Sequence, residues 1–319
     1  MFHDIGFLVL SLVLLAKGGE MFVNSSYTLS SVFRVPPIVI GSSIVSLATT
    51  MPELMVSVTA SFMGNSGIAL GNAVGSVITN IGLIVGIVAI VARVTVDRWA
   101  YVGRSVWVLI LSLLLVIFSL DGTIGRLTAA LLLALSFAYL YFDYRGAKGS
   151  LALAAEDRRE ESRSEGVLTK SAATFLLGAA LIAVGSRILV ASAVGLATIL
   201  EIPPVIVGLS IVAIGTSIPE LVTGIFSAIK GVPDLSIGNI LGANVLNLAM
   251  VIGLAGVIQP LTVSRFTQWY SYSWLIVFVV LIAVILGRTG VLGRLGGVGL
   301  VLLYIVYLVG LAVYSVAGV

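Results

Sequence analysis

Long uninterrupted runs of apolar residues dominate this chain, and the polar positions fall mainly between the runs. Each run reaches the roughly 20 residues that an α-helix needs to cross a bilayer. Because the apolar positions are continuous and do not alternate, they indicate membrane-spanning helices. The pattern predicts an all-α polytopic membrane protein with ten transmembrane helices, over about residues 5–31, 37–63, 68–91, 102–120, 126–144, 171–199, 204–229, 235–258, 270–287 and 293–316.

Composition supports the membrane class and narrows the chemistry. Hydrophobic residues make up 59% of the 319 residues and charged residues only 10%, with a mean hydropathy of +1.19, which no soluble surface would tolerate. The absence of cysteine excludes disulfides and thiolate metal sites, and the single histidine, His3, excludes Ser-His-Asp catalysis. We therefore expect neither an enzyme nor a cofactor. The net charge of +3 gives no indication of nucleic-acid binding.

One polar segment, residues 145–170, interrupts the apolar pattern and contains the run E-D-R-R-E-E-S-R-S-E. A mixed-charge run of this kind is typical of a flexible, solvated linker. With the N-terminus placed outside, the inner loops hold thirteen Lys and Arg residues and the outer loops only two, Arg126 and Arg265. The positive-inside rule therefore predicts a cell-membrane protein with both termini outside and the linker in the cytoplasm.

The same motif occurs twice. P-P-I-V-I-G-S-S-I-V-S-L-A-T-T-M-P-E-L begins at Pro36, and P-P-V-I-V-G-L-S-I-V-A-I-G-T-S-I-P-E-L begins at Pro203, 167 residues later. Five spans per copy is an odd number, so the copies are expected to insert in opposite directions, which is an architecture of secondary transporters. We predict a first five-helix repeat over 1–144 with its motif at 36–86, the linker over 145–170, and a second repeat over 171–319 with its motif at 203–253.

Each copy places a proline and then a glutamate inside an apolar run, at Pro52 and Glu53 and again at Pro219 and Glu220. Proline lacks the N–H that would bond to the carbonyl four positions earlier, so each helix is expected to break there. Freed carbonyls inside a membrane need a polar partner, and a cation is one such partner. Hydroxyl side chains precede each break, at Thr49, Thr50, Thr216 and Ser217.

The third and eighth predicted spans add amide oxygens from Asn80 and Asn247. Ser76 lies one turn before Asn80 on the same face, whereas its counterpart in the second copy is Ala243. All these candidate ligands are oxygens, the donors of hard cations such as Ca²⁺, and Na⁺ would also accept them. With both glutamates ionised the site carries a formal charge of −2, which one Ca²⁺, two Na⁺ or two protons would neutralise. Glycines at an i, i+4 spacing are assigned to helix packing: Gly71, Gly75, Gly238 and Gly242.

The doubled segments A-T-T-M-P-E with G-N-A-V-G-S-V-I-T-N, and G-T-S-I-P-E with G-N-I-L-G-A-N-V-L-N, resemble the two α-repeats of the calcium:cation antiporter superfamily. The resemblance covers the whole chain and is closest to the prokaryotic sodium/calcium exchanger branch. It implies the sodium/calcium exchanger fold. It also implies a secondary active antiporter that exchanges Ca²⁺ for Na⁺ by alternating access, with the first and sixth spans sliding across a rigid remainder.

The resemblance further implies the ion ligands. Glu53 and Glu220 would be the central Ca²⁺ carboxylates, and Thr49 and Thr216 would give backbone oxygens to the ions. The other implied ligands are Thr50 and Ser217, the carbonyls of Ser46 and Ala213, and Ser76, Asn80 and Asn247 from the partner helices.

Departures from the family pattern leave the counter-ion open. Exchangers of this family that couple three Na⁺ to one Ca²⁺ commonly carry an aspartate at one of the two amide positions, and here both are asparagine. Three Na⁺ at a site of charge −2 would leave one uncompensated positive charge in a low dielectric, which is unfavourable. An H⁺-coupled antiporter of Ca²⁺ or another divalent cation and, at lower rank, a passive cation channel are the alternatives. Protein partners are not readable from the sequence.

Overall fold

The computed structural model describes residues 2–32, 45–96, 98–154, 165–229 and 233–317. Most of them are helical, as the continuous apolar runs predict. The beginning of the first motif, from Pro36 to residue 44, lies outside the described residues.

The described elements form two series that match in order along the chain. The first consists of α1 Phe2–Val32, α2 Val45–Thr49, α3 Met51–Phe62, α4 Ser66–Thr79, the π-helical stretch Asn80–Val85, α5 Gly86–Val91, β1 Val94–Thr95, α6 Arg98–Phe118, β2 Thr123–Ile124 and α7 Arg126–Ala154. The second consists of α8 Glu165–Ile199, α9 Pro204–Val207, the π-helical stretch Gly208–Val212, α10 Ala213–Thr216, α11 Ile218–Ile229, α12 Pro233–Leu246, the π-helical stretch Asn247–Val251, α13 Ile252–Ile258, β3 Leu261–Thr262, the π-helical stretch Thr267–Ser271, α14 Tyr272–Thr289, β4 Val291–Leu292 and α15 Arg294–Ala317.

Eight helices in the described residues are long and apolar enough to cross a membrane, and a ninth is counted if the bent pair Pro204–Thr216 and Ile218–Ile225 is one span. The second predicted span enters the described residues only at Val45. The total of ten helices therefore stays a prediction, whereas the helical membrane class is confirmed.

Two equivalent spans form the centre of the molecule. Within their apolar windows, 78% of the residues of Ser66–Val91 and 89% of those of Ser236–Ile258 are buried inside the protein, against 22–39% for the other spans. The outer helices expose large apolar side chains, with Leu127 85% and Leu295 89% exposed. Such surfaces suit lipid contact, so the third and eighth predicted spans are the protein interior.

Two short strand pairs connect the halves crosswise. Strand β1 of the first half pairs antiparallel with β4 of the second, with Val94 opposite Leu292. Strand β2 of the first half pairs with β3 of the second, with Thr123 opposite Thr262. An offset of 167 residues carries β1 onto β3, and the same offset carries Ile124 of β2 onto Val291 of β4. Exchanging the two halves therefore turns one pair into the other, which agrees with a two-fold relation between the repeats.

The helices on both sides of the linker are longer than the apolar runs. Helix α7 continues to Ala154 and α8 begins at Glu165, so residues 145–154 and 165–170 are helical although they were predicted to belong to the flexible segment. Apolarity marks the part of a helix that lies in lipid, but good helix formers such as the Leu and Ala residues at 151–154 extend the helix beyond it. The charged residues between 155 and 164 lie outside the described residues.

Candidate ion-binding site

The two helix breaks predicted from Pro52 and Pro219 are present and have nearly the same backbone geometry. Thr50, between α2 and α3, has φ −77° and ψ −4°, and Ser217, between α10 and α11, has φ −82° and ψ 9°. Both residues lie in the bridge region, where ψ is about 0° and regular helix geometry is interrupted. Each proline is the second residue of the restarted helix, where its missing N–H is tolerated. In the second repeat the axis bends by 40° at the break.

Glu53 and Glu220 follow these prolines in the first turn of α3 and α11, and both are completely buried. They are the only charged residues of the described chain that are completely buried. The two carboxylates lie close enough for their charges to interact. The described residues contain no group of three or more acidic, histidine or cysteine side chains that could hold a metal ion. A cation here therefore needs neutral oxygens to complete its ligand shell.

Each carboxylate is approached by hydroxyls from the opposite repeat. Ser217 Oγ donates a hydrogen bond of 3.0 Å to Oε1 of Glu53. Thr216 lies beside Glu53 and Thr49 lies beside Glu220, and the offset of 167 exchanges these two contacts. Oε2 of Glu53 and both carboxylate oxygens of Glu220 have no hydrogen-bond partner among the described residues. A buried, unpartnered carboxylate is unfavourable in a low dielectric, and ligation of a cation removes that penalty.

The amides predicted from the central spans occupy equivalent places in the two halves. Asn80 and Asn247 are completely buried, and each is the first residue of a π-helical stretch, a distortion that is frequent at functional sites. Oδ1 of Asn80 and both amide atoms of Asn247 have no hydrogen-bond partner within the described part of the chain. Ser76, on the same helix as Asn80, places its Oγ 3.5 Å from Oγ1 of Thr216. The third and eighth spans thus contribute polar atoms without hydrogen-bond partners, in addition to the carboxylate oxygens beside the two helix breaks.

One of the four implied backbone ligands, the Ser46 carbonyl, is already hydrogen-bonded within its own repeat. It accepts from Thr50 N at 3.0 Å, from Thr50 Oγ1 at 2.7 Å and from Thr49 Oγ1 at 3.3 Å. A carbonyl oxygen has two lone pairs, so these hydroxyls must rotate away before the oxygen can ligate an ion.

Another implied backbone ligand, the Ala213 carbonyl, is also hydrogen-bonded within its own repeat. It accepts from Ser217 N at 3.2 Å, and Thr216 Oγ1, which shares its one hydrogen with Asn72 Oδ1, lies 3.3 Å away. In the present conformation both carbonyls are helix acceptors, and the side-chain oxygens are the more available ligands.

Asn72, which was not among the site residues predicted from the sequence, links the two breaks. Its Nδ2 donates to the main-chain oxygen of Glu53 at 3.1 Å and to Ser57 Oγ at 2.9 Å. Its Oδ1 accepts a hydrogen bond of 3.0 Å from Oγ1 of Thr216 in the other repeat. Asn72 therefore connects the backbone beside one carboxylate to the hydroxyl side chain at the opposite break.

The counterpart of Asn72 is Asn239, which makes weaker contacts. Asn239 Nδ2 donates a bond of 3.4 Å to Thr223 Oγ1, and its main-chain oxygen accepts from Ser46 Oγ at 3.1 Å. Its Oδ1 has no partner among the described residues. The sequence carried a signal for both asparagines, because the G-N pair of Gly71 recurs 167 positions later. Recurrence at an offset of 167, the criterion that selected the two glutamates, would also have selected these two asparagines.

Helix α1 packs across both breaks. A Cβ atom at Gly19 would lie 2.9 Å from Cγ of Pro219 and 3.9 Å from Cγ of Pro52. This approach requires a residue without a side chain at position 19. Helix α1 also packs closely on α8, where a Cβ at Gly18 would lie 3.0 Å from the carbonyl oxygen of Gly178. The first and sixth predicted spans therefore contact each other, and the first reaches both proline breaks.

The packing role predicted for the glycines of the third span is confirmed. A Cβ at Gly71 would lie 2.6 Å from the carbonyl oxygen of Val205, and one at Gly75 would lie 2.7 Å from that of Leu209. In the second repeat, Gly238 is less crowded, since its nearest described neighbour is Arg104 Nη1 at 3.7 Å. The close backbone contact joins α4 to the segment that leads to the second break.

Two repeats thus meet at a buried set of carboxylate, amide and hydroxyl oxygens inside a bundle of membrane-crossing helices. Interrupted helices that present such groups where inverted repeats meet define a class of membrane proteins, the inverted-repeat transporters.

The chain belongs to the sodium/calcium exchanger protein family, whose sequence profile matches residues 3–145 and 170–313. The family predicted from the doubled motifs is therefore confirmed, and the family is one of transporters.

Similar proteins agree with this assignment. The chain is 33% identical to the inner membrane protein YrbG of Escherichia coli over 288 residues, which cover 88% of each protein. It is 30% identical to the sodium/calcium exchanger MaX1 of Methanosarcina acetivorans over 299 residues, covering 83% of this chain and 85% of that one. A solved structure of the sodium-calcium exchanger NCX_Mj superposes with a TM-score of 0.69 at 26% identity, over 95% of this chain and 97% of that chain. The predicted exchanger fold is confirmed.

Proposed function

We propose that this protein is a secondary antiporter that exchanges Ca²⁺ for Na⁺ across the cell membrane by alternating access. The observation that carries the proposal is the set of completely buried side-chain oxygens without hydrogen-bond partners among the described residues, contributed by both repeats. Oxygen donors of this kind match the ligand preference of Ca²⁺ and Na⁺. The similarity to the sodium/calcium exchanger MaX1 of Methanosarcina acetivorans supports the same assignment.

The central carboxylates in this proposal are Glu53 and Glu220. Each is buried beside a hydroxyl of the opposite repeat, so the ion would lie between the halves and bring both breaks into one ligand shell. The proposed neutral ligands, in addition to the carboxylates, are Thr49, Thr50, Thr216, Ser217, Ser76, Asn80 and Asn247, with the carbonyls of Ser46 and Ala213 joining after their hydroxyl donors turn away.

We also propose the orientation that the positive-inside count favours. Both termini would lie outside and the polar segment 145–170, which separates the repeats 1–144 and 171–319, would lie in the cytoplasm. The pairing of β1 with β4 and of β2 with β3 supports repeats of opposite orientation. Each pair joins a strand after the third span of one half to a strand after the fourth span of the other, and these lie at the same membrane face only if the halves are inverted.

Two features of the site bear on the counter-ion. The two glutamates give a formal charge of −2, and no third acid of the described residues is completely buried. Two Na⁺ neutralise the site as one Ca²⁺ does, and so do two protons. An H⁺-coupled exchange of Ca²⁺ is therefore the second candidate.

A passive channel is disfavoured because α1 covers both breaks through Gly19, which supports an occluded site over a continuous pore.

The decisive experiment is Ca²⁺ flux into proteoliposomes with the membrane potential clamped. A Na⁺ gradient and a pH gradient are imposed separately, and the double variant Glu53→Gln with Glu220→Gln serves as the transport-dead control. Uptake driven by the outward Na⁺ gradient alone is the expected result. Uptake driven only by the pH gradient would support the proton-coupled candidate, and uptake without any counter-gradient would overturn exchange in favour of a channel.

A further inference from the structure

Asn80, one of the proposed ligands, is held by a residue that has no equivalent in the other repeat. Asn80 Nδ2 donates a hydrogen bond of 2.9 Å to Oδ1 of Asn244 on α12. Both side chains are completely buried. The residue 167 positions before Asn244 is Val77, which has no polar side-chain atom.

We infer that Asn244 is a positioning residue: by accepting the amide hydrogen of Asn80 it leaves the carbonyl oxygen of that amide for the transported cation. The inference rests on the proposed function, since it assigns Asn80 to the ion. Asn244 acts through Asn80 and is not itself assigned as a ligand.

The chemistry of the amide group supports this role. A carboxamide has a donor end and an acceptor end, and only the acceptor end can ligate a cation. The donor end of Asn80 is bonded to Asn244, while its Oδ1 has no hydrogen-bond partner among the described residues. In the reversed orientation Asn80 would direct N–H groups with partial positive charge at the ion. A bound cation and the present orientation of the pair therefore stabilise each other.

The second repeat provides an internal comparison. Asn247 is equivalent to Asn80, and the place equivalent to Asn244 is taken by Val77. Asn247 has no hydrogen-bond partner at either amide atom among the described residues. The hydrogen bond thus pairs one of the two equivalent amides, while the other has no partner among the described residues. The two sides of the site therefore differ in how their amide ligands are held.

Two substitutions at position 244 separate positioning from packing. Asn244→Val copies the residue of the first repeat and removes the acceptor. Asn244→Asp keeps the shape and the acceptor, and its carboxylate cannot take the donor role. Outer-shell partners of metal ligands typically change metal affinity by about 10- to 100-fold when they are removed. We expect Asn244→Val to weaken Ca²⁺ binding by about tenfold at least, and Asn244→Asp to bind at least as tightly as the unchanged protein.

The test is Ca²⁺ titration of the purified full-length protein by calorimetry, combined with a double-mutant cycle that includes Asn80→Ala. Because Asn244 acts through Asn80, Asn244→Val should add less than about twofold to the loss already caused by Asn80→Ala. An equal loss from Asn244→Val in both backgrounds would overturn the inference, and so would weak binding by Asn244→Asp. Thermal unfolding without Ca²⁺ shows whether each variant is folded, and if Asn244→Val does not fold, the result for Asn244→Asp decides.

The same titration distinguishes this inference from the proposed function. If the unchanged protein binds no Ca²⁺, the proposed function fails. If the unchanged protein binds and exchanges Ca²⁺ while Asn244→Val binds it equally well, only the role of Asn244 is refuted.

Discussion

Ser217 Oγ donates a hydrogen bond of 3.0 Å to Oε1 of Glu53, so the hydroxyl at the break of one repeat holds the carboxylate of the other repeat in place. The corresponding bond on the other side, from Thr50 to Glu220, is replaced by one from Thr50 Oγ1 to the carbonyl of Ser46 at 2.7 Å. The two carboxylates are therefore equivalent in sequence but differ in how well they are held.

This difference predicts unequal effects of the two charge-neutralising substitutions on stability. Without Ca²⁺, Glu220→Gln is expected to raise the midpoint of thermal unfolding, because it removes a buried carboxylate whose two oxygens have no partner among the described residues. A gain on the order of 1–3 kcal/mol is the expected scale. Glu53→Gln should change the midpoint less, since Ser217 retains an acceptor. Scanning fluorimetry of both variants measures this, and a lower midpoint for Glu220→Gln would refute it.

The same two variants test the site. Ca²⁺ at 100 times its dissociation constant should stabilise the unchanged protein by about 2.7 kcal/mol. Both glutamine variants should lose this stabilisation and the Ca²⁺ flux, because each lowers the formal charge of the site from −2 to −1. Retained Ca²⁺ stabilisation in both variants would show that the ion binds elsewhere.

The contact of α1 with the breaks predicts a transport defect without a binding defect. In Gly19→Val the new side chain would collide with Pro219, where even a Cβ would lie 2.9 Å from Cγ. We expect the exchange rate to fall about tenfold or more, because a displaced α1 no longer moves freely across the breaks, while Ca²⁺ affinity changes by less than about threefold. Gly6→Val on the same helix is the matched control, since a Cβ at Gly6 meets no atom of the described residues within 4 Å. Equal slowing in both variants would contradict the prediction.

The asymmetric asparagine contacts predict unequal losses of stability. Asn72→Ala removes three hydrogen bonds of 2.9 to 3.1 Å, two within the first repeat and one from Thr216 at the opposite break. Asn239→Ala removes one side-chain bond of 3.4 Å. A buried partner left unsatisfied costs about 1–3 kcal/mol, so Asn72→Ala should destabilise the ion-free protein by that amount or more. Asn239→Ala should cost less than half as much, and the reverse order would contradict the role given to Asn72.

The formal charge of the site predicts the electrical character of transport. Two Na⁺ exchanged for one Ca²⁺ move no net charge, so a K⁺ diffusion potential should leave the Na⁺-driven flux of the unchanged protein nearly constant. Asn247→Asp puts a third buried carboxylate in place of an amide whose two polar atoms have no hydrogen-bond partner among the described residues. Its charge of −3 is neutralised by three Na⁺, so its flux should become sensitive to the potential. Strong voltage sensitivity of the unchanged protein would contradict an electroneutral cycle.

The sequence predicted the fold and the two helix breaks because both follow from strong local signals. Long apolar runs, prolines within them and a motif repeated at a constant offset are visible without coordinates, and the structure shows Glu53 and Glu220 buried beside the breaks. The connections between side chains could not be predicted in the same way. Asn244 has Val77 as its counterpart, so a search for doubled residues passes over it. The occupied carbonyls of Ser46 and Ala213 depend on hydroxyl rotamers, which no spacing encodes.

The crossed strand pairs have a consequence for how such a molecule can arise and assemble. Each short strand of one half pairs with a strand of the other half, so a separated half would leave those peptide groups without their backbone partners. A chain with a single repeat could build the same arrangement only by pairing with a copy of itself threaded upside down through the bilayer. The present protein is therefore equivalent to a dual-topology dimer whose two subunits have been fused, which fixes their opposite directions and allowed positions such as 77 and 244 to diverge.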